Sequence, residues 1–259
     1  MGEILIGTSG FYFDDWVGEV YPDGIKKQDM LPYYERNLGF KTLEVNYTYY
    51  AMPSASTMES FAKRTSQDFS FVVKAHKSMT HEKTGDMKEI YRRFQEGIKP
   101  LNGNVRALLF QFPYMFVPNY ENINYLQSVR EEFDGYKPVV EFRNAKWSDD
   151  RYLEMLEELS FGYCIVDEPK LKGLLPFSPH LTSDTGYFRF HGRNTSWFKG
   201  PLEVRYDYLY SEKELRQFVA PIKDIARRAS TTYVFFNNCH AGKAVKNALM
   251  MIELLKSSD

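Results

Sequence analysis

Short apolar runs rich in β-branched and aromatic residues recur along the chain, and amphipathic segments lie between most of them. Runs of this length and composition predict β-strands. Their apolar residues are consecutive rather than alternating, which is typical of strands buried on both faces of a parallel sheet. We predict eight strands, at Ile4–Gly7, Thr42–Val45, Ser70–Lys74, Ala107–Gln111, Val139–Phe142, Tyr163–Val166, Tyr187–Phe190 and Tyr233–Phe236.

The segments between the strands carry signals for helix starts. Ser211 and Glu214 have the spacing of a capping box, in which each side chain bonds the backbone N–H of the other residue. Ser56 and Glu59 repeat this spacing, so we predict a second capping box there. Apolar residues recur at helical intervals behind both positions, which predicts amphipathic helices that pack on the sheet.

Strands that alternate with helices predict parallel βαβ units, and eight such units predict an α/β fold closed into a (β/α)8 TIM barrel. An open doubly wound sheet is the alternative that periodicity leaves open. The alternation fails between strands six and seven, where Lys170–Gly186 contains Pro176 and Pro179 and shows no helical stripe. We therefore predict an irregular segment there, within a single domain that spans residues 1–259.

Composition agrees with one soluble barrel. The 259 residues are 43% hydrophobic and carry a formal net charge of −1, which excludes a globally basic nucleic-acid binder but leaves a local basic groove open. The only cysteines, Cys164 and Cys239, lie in apolar runs and are predicted to be buried free thiols. The N-terminus lacks the pattern of a signal peptide, and no stretch approaches the ~20 apolar residues of a membrane span. We expect a cytoplasmic protein without a membrane partner.

Polar residues follow the apolar runs at the carboxyl ends of the predicted strands. Residues two apart on a strand point to the same side. The sequence places such pairs at Glu44/Asn46, Lys74/His76, Glu141/Arg143 and Arg189/His191, and adds the strand-end residues Gln111, Asp167, Asn237 and Asn238. Barrel enzymes place their active sites at this end of the barrel, so we predict a site there. The alternative is a set of neutralised ion pairs, such as Glu141 with Arg143 or Glu44 with Lys74, that closes the barrel top.

Two loops at the same end have the character of an anion site. His191-Gly192-Arg193-Asn194 follows strand seven, and His240-Ala241-Gly242-Lys243 opens the last helix. Barrels often bind phosphate at the loops after strands seven and eight, where free helix N–H groups point at the anion. We predict an anion site that includes Gly242, with an ordinary glycine turn as the alternative.

At these residues the chain resembles the YecE-like family, a domain of unknown function. The resemblance is carried by motifs spread in order over nearly the whole chain: Ile6-Gly7-Thr8-Ser9-Gly10 with Trp16, Glu44-Val45-Asn46, Lys74-Ala75-His76, Gln111-Phe112-Pro113, Glu141-Phe142-Arg143 with Trp147, Phe188-Arg189-Phe190-His191-Gly192-Arg193, and Phe235-Phe236-Asn237-Asn238 with Gly242. The resemblance implies a barrel fold. It does not supply a reaction.

Our first hypothesis is a hydrolase that acts on a phosphate-bearing or nucleic-acid-derived substrate at the carboxyl end of the barrel. Glu141, Glu44 or Asp167 would act as the general base, with Lys74 and His76 beside it. The arginines offer planar forks of donors suited to phosphate. The predicted substrate-binding residues are Arg143, Arg189, His191, Asn46, Asn237, Asn238 and Gly242. A metal-dependent version would use a divalent cation held by His76, Glu141, Asp167 and His191, although no ligand motif supports it.

Two other hypotheses belong to different classes. In the first, Lys74 forms an imine with a sugar-like substrate of a lyase or isomerase, after nearby cations lower its pKa. In the second, the protein binds nucleic acid or another anion without chemistry. Its stacking residues would be Trp16, Trp147, Trp197, Phe198, Tyr206, Tyr208 and Tyr210, beside Lys199 and Arg205.

Overall fold

The computed structural model describes residues 1–101, 103–195 and 202–257. Within these ranges, eight strands pair in parallel. Their order around the sheet is β1-β8-β7-β6-β5-β4-β3-β2. Each predicted strand is present, and the bounds move by at most two residues. The strands are β1 Glu3–Thr8, β2 Thr42–Val45, β3 Ser70–Lys74, β4 Val105–Gln111, β5 Pro138–Glu141, β6 Gly162–Asp167, β7 Thr185–Phe190 and β8 Thr231–Phe236.

The sheet closes on itself, so the barrel prediction is confirmed over the open-sheet alternative. β8 pairs with both β7 and β1, with the register running from Glu3↔Thr231 to Thr8↔Phe236 on the β1 side. Among the described residues the one β-bridge between the segments of β1 and β2 lies at their carboxyl ends, where Ser9 bridges Glu44 and the Gly10 N–H donates to the Glu44 carbonyl at 2.8 Å. Farther back β1 and β2 pack closely, since a Cβ on Gly7 would lie 2.4 Å from the Thr42 carbonyl oxygen. The bridge brings Glu44 into the barrel mouth.

Helices surround the barrel and bury apolar faces against the strands. In α7 the buried face is Leu215, Phe218, Val219, Ile222 and Ile225, the stripe expected behind the Ser211 cap. The helices are α1 Lys27–Arg36, α2 Ala55–Arg64, α3 Met87–Ile98, α4 Tyr120–Glu132, α5 Asp150–Glu158, α6 Leu202–Arg205, α7 Glu212–Arg228 and α8 Lys243–Lys256. No helix among these described residues is both long and apolar enough to cross a membrane.

Of the two predicted capping boxes, one is confirmed and one is wrong. Ser211 and Glu214 bond reciprocally at the start of α7. At α2 the cap is Ser54, whose side chain accepts from the Thr57 N–H at 3.3 Å, and Ser56 lies inside the first turn. The start of a helix is set by the residue that keeps an extended backbone, and that residue is Ser54.

The connection between β6 and β7 is irregular, as predicted, and it covers the end of β5. Asn144 forms an antiparallel bridge with Leu174 in this connection. The Leu175 N–H donates to the Arg143 carbonyl at 3.0 Å, and the Ala145 N–H donates to the Gly173 carbonyl at 2.9 Å. The segment therefore folds over Arg143 and excludes water from the charges beneath it.

The large aromatic residues fill the core and the barrel rim. Trp147 stacks on Phe142 with ring centroids 4.0 Å apart, and its indole N–H donates to the Phe116 carbonyl at 2.6 Å. Trp16 is fully buried and donates to the Cys239 carbonyl at 2.6 Å. Neither indole can serve as a stacking platform, so that prediction is wrong for Trp16 and Trp147. Both cysteines are free and buried, as predicted.

The corrected α2 cap gives a test with a matched control. Ser54→Ala should lower the free energy of unfolding by about 0.5–1 kcal/mol, because the first turn loses its side-chain acceptor. Ser56→Ala, two residues along the same exposed turn, should leave stability unchanged or raise it slightly, since alanine is the better helix former. Urea denaturation measures the free energy of unfolding of both variants. A larger loss of this free energy in Ser56→Ala than in Ser54→Ala would contradict the assignment of Ser54 as the cap of α2.

Candidate active site

The carboxyl ends of the strands gather a set of charged side chains inside the barrel. Arg189 on β7 lies at its centre and is 1% exposed. Its Nη1 donates to Glu141 Oε2 at 2.5 Å, and its Nη2 donates to Glu44 Oε1 at 2.7 Å. Tyr187, two residues earlier on the same side of β7, donates its hydroxyl to Glu44 Oε2 at 2.6 Å. One guanidinium therefore joins β2, β5 and β7 across the barrel interior.

A second arginine extends this network toward the β6–β7 connection. Arg143 Nη2 lies 2.7 Å from Glu141 Oε1, and Arg143 Nη1 donates to Glu168. His191 Nε2 lies 3.3 Å from Glu141 Oε1, while the Asn237 amide donates to His191 Nδ1 at 2.9 Å. An imidazole that accepts at Nδ1 carries its proton on Nε2, which faces the carboxylate.

Burial and pairing set the charge of each group. Burial alone would raise the pKa of Glu141, but the charges of Arg143 and Arg189 hold it well below its usual range. Burial and the charge of Arg143 lower the pKa of His191 to about 3, so this histidine is neutral. Burial raises the pKa of Glu168 to about 7, against the opposing effect of Arg143.

Lys74, at the end of β3, differs from the arginines because it has no acidic partner. Its amine donates to Gln111 Oε1 at 3.1 Å and lies 4.6 Å from the centre of the Tyr49 ring. No carboxylate of the described residues is within ion-pair distance of this amine, so the predicted pairing of Glu44 with Lys74 is wrong. Burial, followed by the charge of Arg189, lowers the pKa of Lys74 to about 7.

The amine of Lys74 faces a cleft of about 520 Å³ at the barrel mouth. This is within the usual range for small-molecule sites. Its walls carry hydrogen-bonding and acidic groups rather than a cluster of cations; besides Lys74 they include Ser9, Asp14, Asp15, Asn46, Asn237 and His240. We refer to this space as the Lys74 cleft.

Asp167 does not join the central network. It accepts from Arg193 Nε and Nη2, both at 2.8 Å, and from the Tyr210 hydroxyl at 2.7 Å. Cys164 Sγ, three residues earlier, lies 3.7 Å from Glu141 Oε2. Because side chains alternate along β6, Cys164 and Glu168 share the inner side, and Asp167 points toward α7.

Three other predicted site residues have structural partners. His76 caps a short 3-10 turn, where its Nδ1 accepts from the Ser78 N–H at 3.2 Å. Asn238 is fully buried and donates to Asn247 Oδ1 at 2.9 Å. Gly242 has a φ of +69°, and a Cβ there would lie 2.5 Å from Val20 Cγ2. Close packing against Val20 accounts for this glycine.

The two loops predicted to bind an anion hold carboxylates of the protein itself. Asp15 Oδ2 accepts from the Ala241 N–H at 2.6 Å and lies 3.4 Å from His240 Nδ1. After β7, Arg193 is bound by Asp167. The Ala241 N–H and the Arg193 guanidinium, which would have bound a phosphate, are therefore already bound to carboxylates of the protein.

The four residues weighed as metal ligands are not brought together. His76 and Asp167 lie outside the network that contains Glu141 and His191. Within the described ranges, no three His, Cys, Asp or Glu side chains are grouped so that they could hold a metal ion.

Two neighbours of the site, both polar, are not among the predicted catalytic and substrate-binding residues. His81 packs edge-on against the Tyr49 ring, 5.0 Å between centroids, and burial followed by the charge of Lys74 lowers its pKa to about 4. Glu168 binds Arg143 from the β6–β7 connection. His81 lies seven residues beyond Lys74, after a turn, so strand periodicity gave no indication of it.

Comparisons with known proteins identify the family of the chain and agree with its fold. Residues 5–259 match the family described as protein of unknown function DUF72. The chain is 30% identical over 273 residues to the UPF0759 protein YunF of Bacillus subtilis, covering 97% of this chain and 94% of YunF. The protein belongs to the DUF72 family.

Two solved structures of DUF72 proteins share the fold over their whole length. The first, from Thermotoga maritima, is 42% identical with a TM-score of 0.92, covering 98% of this chain and 99% of that one. The second, from Enterococcus faecalis, is 27% identical with a TM-score of 0.86, covering 98% and 95%. These likenesses establish family and fold, and they indicate no activity or substrate.

The central network predicts a structural role for Glu141. Glu141→Gln should lower the free energy of unfolding by about 3–5 kcal/mol, because the buried carboxylate that bonds both arginines would be lost and the network would keep its positive charges with one negative charge fewer. Glu59→Gln, which removes a carboxylate from the exposed ion pair with Lys63, should change it by no more than about 1 kcal/mol. Denaturant titration measures both; a Glu141→Gln protein of undiminished stability would contradict the structural role.

Proposed function

We propose that the protein is an enzyme that forms an imine between Lys74 and a small, neutral, sugar-like carbonyl compound, in lyase or isomerase chemistry. One observation carries the proposal: the amine of Lys74 faces the cleft, and its partners, the Gln111 carboxamide and the Tyr49 ring, are uncharged. An amine attacks a carbonyl only when it is deprotonated, and desolvation beside another cation is a known way to reach that state near neutral pH.

The neighbouring ion pairs explain why Lys74 has no counterion. Glu44 binds Arg189, and Glu141 binds both Arg189 and Arg143. The two arginines thus take up the two carboxylates nearest to the amine. Burial is the largest cause that lowers the pKa of Lys74. The charges of Arg189 and Arg143 act in the same direction, against the opposing effect of Glu141 and Glu44.

The chemistry balances with groups of the cleft. The neutral amine adds to the carbonyl carbon, and the carbinolamine loses its oxygen as water with one added proton, which leaves a protonated imine. That cation draws electrons from the adjacent carbon, so a neighbouring C–H or C–C bond can break. Asp14, Asp15 and His240 line the cleft and are available to exchange protons. Asn46 and Asn237 offer amides for the hydroxyl groups of a sugar-like substrate.

The phosphoester-hydrolase hypothesis has less support. It assigned Arg143 and Arg189 to anionic oxygens, and both guanidinium groups are engaged with buried carboxylates. It also assigned Asp167 as a possible base, which lies outside the cleft lining. For the hypothesis of a stacking surface for nucleic acid, Trp197, Phe198 and Lys199 lie outside the described residues, and Tyr210 is fully buried.

Imine formation can be tested by chemical trapping. With dihydroxyacetone or glycolaldehyde and sodium borohydride at pH 7.5, we expect a stable adduct on Lys74, because borohydride reduces the imine to a secondary amine. Peptide mass spectrometry locates it. Lys74→Met should remove that adduct, whereas Lys77→Met, at an exposed lysine paired with Glu82 at 2.7 Å, should leave it intact. Equal extents of reductive modification at Lys74 and at the surface lysines would contradict the proposal.

The titration of Lys74 provides a second test. Its lowered pKa means that the folded protein holds it neutral above about pH 7, while an ordinary lysine loses its proton near 10.4. Brief acetylation with acetic anhydride should therefore modify Lys74 with a midpoint near pH 7. Because the unfolded chain binds the extra proton between these values, this group makes stability rise with pH across that window. A midpoint above about pH 9 would show that Lys74 is an ordinary cation.

A further inference from the structure

A second cleft lies beside the Lys74 cleft, and the central network and the proposed amine chemistry use none of its lining residues except Asn46, which lies where the two clefts meet. It encloses about 740 Å³ between the segments that follow β1 and β2 and the helices α1 and α2. We call it the side cleft. It shares Phe13, Asn46 and Tyr50 with the Lys74 cleft, so the two spaces are contiguous.

Aromatic rings form one part of the side cleft. Phe11 packs edge-on against Phe61, with centroids 5.5 Å apart, and Tyr47 packs on the same ring at 6.2 Å. Tyr12 and Tyr50 are 36% and 67% exposed, so their rings remain accessible beside the cleft. A flat ring that enters such a space gains stacking and edge contacts without displacing core packing.

Unpaired cations form the other part. Lys26, Lys27 and Arg64 line the side cleft, and among the residues that the structure describes none of the three forms an ion pair. Lys27 lies 4.6 Å from the centre of the Tyr12 ring. The described lining contains no Asp or Glu. By contrast Lys63, beside Arg64 on α2, is paired with Glu59 at 2.7 Å and does not line the cleft.

Asn46 adds a polar contact where the two clefts meet. Its Oδ1 is buried and has no hydrogen-bond partner among the described residues. A buried acceptor without a partner is costly, and it is satisfied when a ligand brings an N–H or O–H donor. The exocyclic amine or ring N–H of a nucleobase is such a donor.

We propose that the side cleft binds a nucleotide, with the base among the aromatic rings and the phosphate at Lys26, Lys27 and Arg64. Rings for a planar group, cations in a lining that contains no Asp or Glu among the described residues, and an unsatisfied acceptor occur together in this one space. The nearby carboxylate that acts on Lys27 is Asp14, which accepts from the Tyr12 hydroxyl at 2.8 Å and lies outside the lining. The proposal concerns nucleotide binding alone, and its test does not depend on whether Lys74 forms an imine.

Calorimetric titration of the full chain at low salt tests the proposal. The probes are the four nucleoside 5′-monophosphates, the four corresponding nucleosides and inorganic phosphate. We expect at least one nucleoside monophosphate to bind saturably, and its nucleoside and inorganic phosphate to bind at least about tenfold more weakly. Affinity should fall as salt is raised, because the cations are near the surface and are screened.

Variants locate the site. The triple change Lys26→Gln, Lys27→Gln and Arg64→Gln should weaken nucleotide binding by at least about tenfold. Tyr50→Ala, at an exposed ring, should weaken it by about tenfold, within the range for loss of one base–aromatic stack. Lys63→Gln is the matched control on the same helix and should leave the affinity unchanged. All of these side chains are at or near the surface, so circular dichroism should show intact folding.

Several results would overturn the proposal. They are the absence of saturable binding by any nucleotide up to about 10 mM, equal affinity for inorganic phosphate and nucleotide, or equal affinity for nucleoside and nucleotide. Unchanged affinity in the triple variant would place the nucleotide elsewhere. A single-stranded oligonucleotide that binds more than tenfold tighter than any mononucleotide would replace a nucleotide site by a nucleic-acid surface.

Discussion

The rest of the site depends on the two ion pairs that the Arg189 guanidinium forms with Glu44 and Glu141. They span the barrel interior and join β7 to β2 and β5, at the end where the Ser9–Glu44 bridge links β1 to β2. Charges buried this deeply are tolerated only when each has a partner with good geometry. Tyr187, Arg143 and His191 complete the contacts of the two carboxylates, so this end of the barrel is a connected polar layer rather than an open channel.

The ion pairs of Arg189 and Arg143 also determine the environment of the Lys74 amine. Had Lys74 taken Glu44 or Glu141 as its partner, it would be an ordinary charged lysine in a plugged barrel. The arginines are better partners for buried carboxylates, since a planar guanidinium can bond two of them at once. Arg189 does so. The amine is thereby left between a neutral carboxamide and an aromatic ring, beside a cleft that a small molecule can enter.

The strands, the barrel and the irregular β6–β7 connection could be predicted from the sequence because each rests on local patterns of apolar residues. The polar ends of the strands were predictable for the same reason. The pair formed by Glu141 and Arg143 on one strand end was among those weighed, and it is present. Which side chains meet across the barrel could not be predicted, because that depends on strand tilt and register. Asp167 and Glu168 are adjacent in sequence, and only the fold shows that Glu168 faces Arg143 while Asp167 faces Arg193. Gly242, likewise, is explained by Val20, more than two hundred residues away in the chain.

The separation of charge between the two clefts is compatible with the neutral amine that the proposed imine chemistry requires. An anion bound at Arg143 or Arg189 would lie near Lys74 and would favour its protonated form, since an opposite charge within a few ångströms stabilises the charged state. Carboxylates of the protein already occupy those guanidinium groups, and unpaired cations lie instead in the side cleft, beyond Asn46 and Tyr50. A phosphate held there is farther from the amine and more exposed to screening by solvent and salt. A nucleotide in the side cleft would thus raise the pKa of Lys74 less than an anion bound at the arginines would.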